Sequence, residues 1–459
     1  MVRNAPLLKR LCAAGATIVG ITTVTVTAQA DTLQQALVAL YNNSPDLMAA
    51  RYTAESTNEA FNEVAANALP QVSSTWNTAF SRSYTEILRD AGDFTSSGRL
   101  GGGISVSQTI SPVVSGGVVQ TRKAVEAGWV NYEQSEQQFI LQGVQTYLGV
   151  IQAQSSISLQ AGNIALLERQ LEAAQSRYEA GSGTRTDVAQ VDASLADARA
   201  NAQQARGNVA IAHANYRQVF GINPSSLIFP PLPANLPRTL NEALAIAIKE
   251  NPSVRAVEVA LEEAQAKMKV TAANLKPSYQ VGLSAERNND ILNGGGSTDF
   301  STTFGVQIPI YGNRQIYKSR VRQDEIAIYR LEEQLRSAKA AVEQQVIQAW
   351  NQFQTAQAVG NARAAQIYAA ELSLRGSQAE LDAGTKTNID LISSQQSLTS
   401  AQVSASSARV DVVLGAYNLL AAVGRLSARD LQLPVRYYEP EREFQNRRIQ
   451  NLATLIYDR

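Results

Sequence analysis

The chain repeats itself, and the repeat limits what it can fold into. Thr32-Leu33, Ala36-Leu37, Pro45, Ala65-Ala66-Asn67 and Pro70 recur as Thr239-Leu240, Ala243-Leu244, Pro252, Ala272-Ala273-Asn274 and Pro277, at an offset of 207 (252 less 45). Further on, Ala153-Gln154 matches Ala356-Gln357 and Gly181/Asp187 matches Gly384/Asp390, at an offset of 203 (384 less 181). The difference of four residues falls in the middle of each copy, where loop lengths are free to change. The chain is therefore a tandem duplication of one module. Two copies are fewer than a repeat array needs to bury its own ends, so the module predicts closure by oligomerisation.

Each module changes period along its length. Thr32-x-x-Gln35 and Thr239-x-x-Glu242 read as capping boxes that start short amphipathic helices. Ser44-Pro45 and Asn251-Pro252 place a cap residue before a first-turn proline, so a second helix follows each. Pro70 and Pro277 end those helices. After them the pattern alternates: Val72, Trp76, Phe80 and Tyr84 occupy even positions among Ser, Thr and Asn. Ile104, Val106 and Ile110 alternate in the same way, as do Tyr279, Val281 and Leu283, and then Phe300, Phe304, Val306, Ile308 and Ile310. The pattern predicts four strands of roughly 10–13 residues, the length of a tilted strand that crosses a bilayer. The connecting stretches 89–99 and 288–299 are rich in Gly, Asp, Asn and Ser and read as hairpin loops. Four strands cannot close a barrel, and lipid tolerates no open edge, so several chains must contribute strands to one barrel.

Long helical patterns follow, over 118–179 and 316–381. At 1.5 Å per residue each spans roughly 90–100 Å. The turns Ala180-Gly181-Ser182-Gly183-Thr184-Arg185-Thr186-Asp187 and Ala383-Gly384-Thr385-Lys386-Thr387-Asn388-Ile389-Asp390 then reverse the chain. In each, Gly closes one helix and a Thr-x-x-Asp cap opens the next. The return helices, 187–220 and 390–423, are too short to match their partners alone. With the pre-strand helix added the lengths agree, so two short helices are expected to stack end to end beside each long one.

Several classes of function are excluded or unsupported. Lys+Arg and Asp+Glu are equal at 40 each, so no basic excess points to nucleic acid. His213 is the only histidine and reads as a packing residue, and no Cys/His cluster offers metal ligands. The Gly-rich run 292–296 lies in a hairpin loop, not between a strand and a helix, so it is no phosphate cradle. No nucleophile–base set supports an enzyme, and no cofactor is implied. Without an energy-coupling motif, any transport must be passive. The first residues read as a secretory leader: Arg3, Lys9 and Arg10 precede an apolar run, and Ala28-Gln29-Ala30 predicts cleavage between Ala30 and Asp31. Cys12, the only cysteine, lies inside that leader.

The duplicated modules and the paired turns AGSGTRTD and AGTKTNID together resemble the TolC-like outer-membrane efflux proteins, over essentially all of the chain beyond the leader. The resemblance implies a mainly α fold with a membrane β part: long coiled hairpins forming an α-barrel, and four strands per chain in a homotrimeric 12-stranded transmembrane β-barrel. The expected division is a leader 1–30, a first repeat 31–221 (β-hairpin 71–111, helical hairpin 117–220) and a linker 222–238. A second repeat 239–424 (β-hairpin 278–310, helical hairpin 313–423) and a tail 425–459 follow, linker and tail forming an equatorial belt. The implied function is the exit duct of a tripartite efflux or type I secretion system, in the outer membrane and reaching into the periplasm. Its partners would be a periplasmic adaptor and an inner-membrane ABC or proton-driven transporter.

In this family, polar and charged contacts between helices hold the periplasmic mouth closed. By resemblance that role passes to Thr186, Asp187, Lys386 and Asp390, and adaptor docking to the tips at Gly181, Gly183, Arg185 and Gly384. Where some relatives carry a second acid one turn after the position of Asp390, this chain has Ser393-Ser394. A periplasmic coiled-coil scaffold, with the strands as a soluble sheet, is the alternative from another class.

Overall fold

The computed structural model describes residues 32–87, 90–292 and 294–447. The expected leader, with its cleavage site at Ala30 and Asp31, and the end of the tail lie outside them. The first repeat runs α1 (Leu33–Asn43), α2 (Pro45–Asn67), β1 (Gln71–Ile87), β2 (Asp90–Ile110), α3 (Pro112–Glu179) and α4 (Arg185–Phe220). The second runs α5 (Leu240–Glu250), α6 (Pro252–Ala273), β3 (Ser278–Asp290), β4 (Gly296–Gln307), α7 (Asn313–Asp382) and α8 (Asn388–Val423), and α9 (Pro440–Arg447) follows.

Local chemistry sets the helix starts. Thr32 and Gln35 form a reciprocal capping box on α1. Ser44 ends α1 and caps α2, where Pro45 takes the first position without losing a hydrogen bond. Asn251 does the same for α6, and its Nδ2 also donates to the Ala422 carbonyl at 2.8 Å. Thr239 caps α5, but the Glu242 carboxylate accepts from the Arg238 N–H, one residue before the expected partner.

The strands form one antiparallel sheet in the order β1-β2-β3-β4. The expected loops are shorter than their composition implied. β2 begins at Asp90, and Arg99 pairs with Ala79 on one side and Asp290 on the other, so most of 89–99 belongs to the sheet. Likewise 288–290 and 296–299 are strand, so only five residues separate β3 from β4. β1 and β2 thus reach 17 and 21 residues, against 13 and 12 for β3 and β4. Ile308 and Ile310 fall outside β4, because Pro309 between them cannot donate to the ladder.

The register sorts the side chains by chemistry. Val72 lies opposite Val106, Val106 opposite Leu283, and Tyr279 opposite Val306, so Trp76, Phe80, Ile104, Phe300 and Phe304 share one apolar face. The other face carries hydroxyl pairs: Ser73 with Ser105, Ser81 with Ser97 and Ser284 with Ser301, at 2.7–2.8 Å. The apolar face is open, with Trp76 83% and Phe300 80% exposed. Gly102 leaves the space over which the Trp76 ring lies.

α3 and α7, of 68 and 70 residues, are each roughly 100 Å long. They begin slightly nearer the sheet than their sequence periodicity shows, α3 at Pro112, capped by Ser111. α2 and α4 both pack along α3, as the length argument requires. α6 and α8 pack along α7 and also against α3, which joins the two repeats side by side.

The main core sits where α1, α3, α4 and α8 meet, around Leu37, Leu40, Tyr147, Phe220 and Leu420. Residues 222–238 wrap it, with the Tyr147 hydroxyl donating to the Ile228 carbonyl at 2.7 Å. The segment after α8 clasps the first repeat: the Tyr438 N–H donates to the Tyr41 hydroxyl, and Phe444 packs on Phe61 and Trp129. Glu136 accepts from the Ala428 N–H at 2.8 Å, and burial pushes its carboxyl above the usual range.

Two glycines test this packing. Gly424 ends α8 at φ +85°, and a Cβ there would sit 2.7 Å from Asn251 Cα. Gly424→Ala should cost about 3 kcal/mol from left-handed strain and overpacking. Gly162 lies inside α3 with open space around it, so Gly162→Ala should gain about 0.5–1 kcal/mol. Loss of helical circular dichroism on heating should move down for the first and up for the second.

Candidate functional site

The hairpin tips are built twice from the same parts. Gly181 and Gly384 take φ +74° and +75°, the left-handed conformation that ends a helix. In the first tip the Gly181 N–H donates to the Tyr178 carbonyl and Ser182 to Arg177; in the second, Gly384 donates to Leu381 and Thr385 to Glu380. These paired bonds satisfy the last carbonyls of α3 and α7. Thr184 with Asp187 and Thr387 with Asp390 then form reciprocal capping boxes on α4 and α8. At Gly183 a Cβ would lie 3.1 Å from the Tyr178 nitrogen, a tight fit that the second tip accommodates. Lys386 holds the equivalent position in the second tip.

The capping geometry decides the charge states. Asp187 Oδ2 accepts from the Thr184 hydroxyl at 2.7 Å and from its N–H at 3.0 Å, which lowers the carboxyl below its usual range. Asp390 makes the same bonds with Thr387, and the backbone bond leads its downward shift. Lys386 Nζ lies 2.7 Å from Glu380 Oε2 of its own hairpin and 3.4 Å from Ser377 Oγ, and the Glu380 bond raises its pKa.

Of the residues expected at the mouth, Asp187 and Asp390 are thus committed first to their own helices. Lys386 turns to Glu380 on its own hairpin. Thr186, Arg185 and the residues around Gly181 and Gly384 lie exposed at the extreme end.

The bond that joins the two tips comes from a pair the sequence did not single out. Arg177 on α3 donates from Nη2 to Asn388 Oδ1 on α8 at 3.1 Å, across 211 residues of sequence. Asn388 lies near Asp187 and contributes to holding its carboxyl below the usual range. Above this point the α3–α8 seam continues in polar steps: Asn163 with Gln395 and Thr399, Ser155 with Ser406, and Gln152 with Ser407. Within each hairpin the contacts are mainly apolar instead, as with Leu167, Leu195 and Ala198, or Ala370, Leu398 and Ala401. Between the hairpins these hydrogen bonds run beside an apolar contact near the tip, where Ile392 of α8 packs with Ala174 and Val191 of the first hairpin. Hydrogen bonds exchange with water at small net cost, so the polar steps themselves add little resistance to separation.

Among the described residues no group of acids, histidines or cysteines could hold a metal ion. His213 sits on α4 with Gln154 Nε2 3.5 Å away. The same holds for membrane-spanning helices: no described helix is long and apolar enough to cross a membrane.

An open-edged sheet with one apolar face, continuous with helices of roughly 100 Å, defines a subunit of an outer-membrane channel-tunnel. The chain belongs to the outer membrane efflux protein family, whose model matches residues 33–221 and 243–425. It is 31% identical to the outer membrane efflux protein BepC of Brucella suis, over 95% of this chain and 94% of that protein. It is 26% identical to the outer membrane protein TolC of Vibrio cholerae, over 86% and 92% of the two chains. The crystal structure of the Campylobacter jejuni CmeC outer membrane channel shares the fold, with a TM-score of 0.74 at 14% identity over 90% of this chain and 88% of that one.

The caps give a prediction with a defined sign in pH. Thr184→Ala removes a cap worth about 1 kcal/mol, so hydrogen exchange over 185–188 should quicken roughly fivefold. Because both aspartates are lowered, their caps are at full strength above the ordinary carboxylate range of about 4 and are lost only as the pH falls through the lowered values. Tip exchange, corrected for its intrinsic pH dependence, should be unchanged from pH 8 to 5.

Proposed function

We propose that the chain is one third of a passive exit duct. Three copies close a 12-stranded barrel in the outer membrane, and their helices line a tunnel into the periplasm. The observation that carries this reading is the sheet: β1 and β4 leave backbone groups unpaired at both edges, beside an exposed face of Trp76, Phe80, Phe300 and Phe304. A lone sheet of this kind is untenable in lipid, and strands from neighbouring copies would satisfy it. A soluble coiled-coil scaffold would have no use for such a face. The efflux role of the relative BepC supports the same reading.

The tips are the periplasmic gate. Arg177 and Asn388 hold the two hairpins of one chain together, Asp187 caps α4 beside them, and Lys386 and Asp390 shape the neighbouring tip. Opening separates the α3–α8 seam, with the Ile392 contact at its end, while the apolar contacts within each hairpin stay intact. The exposed ends at Gly181 and Gly384 suit docking by a helical hairpin of a periplasmic adaptor. The adaptor couples the duct to an inner-membrane transporter, ABC-type or proton-driven, that supplies the energy in efflux or type I secretion.

The test is conductance in planar bilayers. The purified protein should insert as a low-conductance channel, and Arg177→Ala with Asn388→Ala should raise single-channel conductance several-fold. A protein that inserts no channel would overturn the duct. An unchanged low conductance in the variant would remove Arg177 and Asn388 from the gate.

A further inference from the structure

Away from the tips, the described residues form a cavity of about 540 Å³ where four stretches of chain meet. They are the start of α1, the linker over 228–235, the last turns of α8 and the segment 425–433 that follows it. Leu33, Leu37, Phe229, Pro230, Leu420 and Leu433 give it walls that are mainly carbon. Its size is that of a pocket for a small organic molecule.

Three observations make it more than a gap in the packing. Tyr417 lines the cavity and is only 7% exposed, and its hydroxyl has no hydrogen-bond partner among the described residues. A buried hydroxyl left so is costly, and an acceptor in the cavity would relieve that cost. Gln432, also in the lining, has φ +50° and is the one non-glycine residue with positive φ among the described residues. Such strain persists where the surroundings enforce it, and it gathers at ligand clamps. Pro230, Pro231 and Pro233 fix φ along the linker wall, so the cavity is shaped before anything enters.

The charges at the cavity are already committed. Arg425 donates to both Glu250 oxygens, at 2.6 and 3.0 Å. Asp430 accepts from the Ser427 hydroxyl and N–H, at 2.6 and 3.1 Å. An ionic guest would therefore find no free countercharge in the lining. Burial pushes the Tyr417 hydroxyl up to about 12, so it stays protonated and able to donate. An ordered water needs about 2–4 polar partners, which walls of leucine and proline do not offer.

The geometry points to a binding site for a neutral, mainly apolar molecule with one hydrogen-bond acceptor, a ketone, ester or amide carbonyl, that accepts from the Tyr417 hydroxyl. The site lies within one chain and stands apart from the duct reading. Its occupant touches the first repeat through α1 and the second through α8, so binding ties the two repeats together where the linker joins them.

Benzophenone is the probe: two apolar rings on one ketone, which under near-ultraviolet light bonds covalently to C–H groups beside it. With the intact protein in mild detergent, peptides covering 228–233 and 431–433 should take up label that saturates with dose. Label on the strands, from probe dissolved in the detergent, should rise in proportion to dose. Tyr417→Phe removes the hydroxyl alone and should raise the half-saturating dose roughly three- to tenfold. Diphenylmethane, the same skeleton without the ketone, should compete equally well in both proteins. A half-saturating dose unchanged by Tyr417→Phe, or label on those peptides that never saturates, would overturn the inference. Label that appears only after residues 448–459 are removed would also overturn it, since the chain's own tail would then be the occupant.

Discussion

The structure depends on a single constraint, the unpaired backbone at the edges of β1 and β4. In water such edges are a liability that charged side chains or prolines can blunt. In lipid they cannot exist, because no solvent is present to take up the free N–H and C=O groups. The register of the sheet gives one face to Val, Trp and Phe and the other to Ser and Thr. Once that sheet is in a bilayer, neighbours must supply the missing strands. The helices below inherit the same symmetry, because Pro112 and Asn313 start α3 and α7 a few residues after the strands end.

Below the membrane the molecule uses two kinds of seam. Apolar residues fasten α3 to α4 and α7 to α8 within each hairpin. The junction between the hairpins carries serine, threonine, asparagine and glutamine pairs, with Ile392 packed on Ala174 and Val191 and the Arg177–Asn388 bond at its end. Buried apolar contacts resist separation in proportion to area, whereas exchangeable hydrogen bonds do not. The proposed gate opens along this junction. The caps at Asp187 and Asp390 each belong to a single hairpin and not to the junction.

Much of this was legible in the sequence where the controlling interaction is local. A cap spans three residues and a glycine turn spans six, so the helix starts at Thr32, Thr184 and Thr387 and the reversals at Gly181 and Gly384 could be read directly. The alternation of Trp76 and Phe80 with small polar residues likewise revealed a two-faced sheet. The length of β2 was not legible, because residues 90–99 have the composition of a loop and are strand only through pairing with β1 and, at Arg99, with β3. The bond from Arg177 to Asn388 was hidden for the same reason, since nothing within 211 residues of sequence links them. Lys386 shows the converse: its charge marked it as a mouth contact, yet the nearest carboxylate is Glu380, less than two turns back along its own hairpin. The duplication offered a signal that could have pointed to Arg177, since its repeat partner Glu380 carries the opposite charge.

The central claim is that the sheet of one chain is a third of a closed barrel. Native mass spectrometry of the protein released from outer membranes in mild detergent tests it most directly. The account predicts a single species of three chains that needs detergent for extraction. A single chain recovered in the soluble fraction after osmotic shock would contradict it.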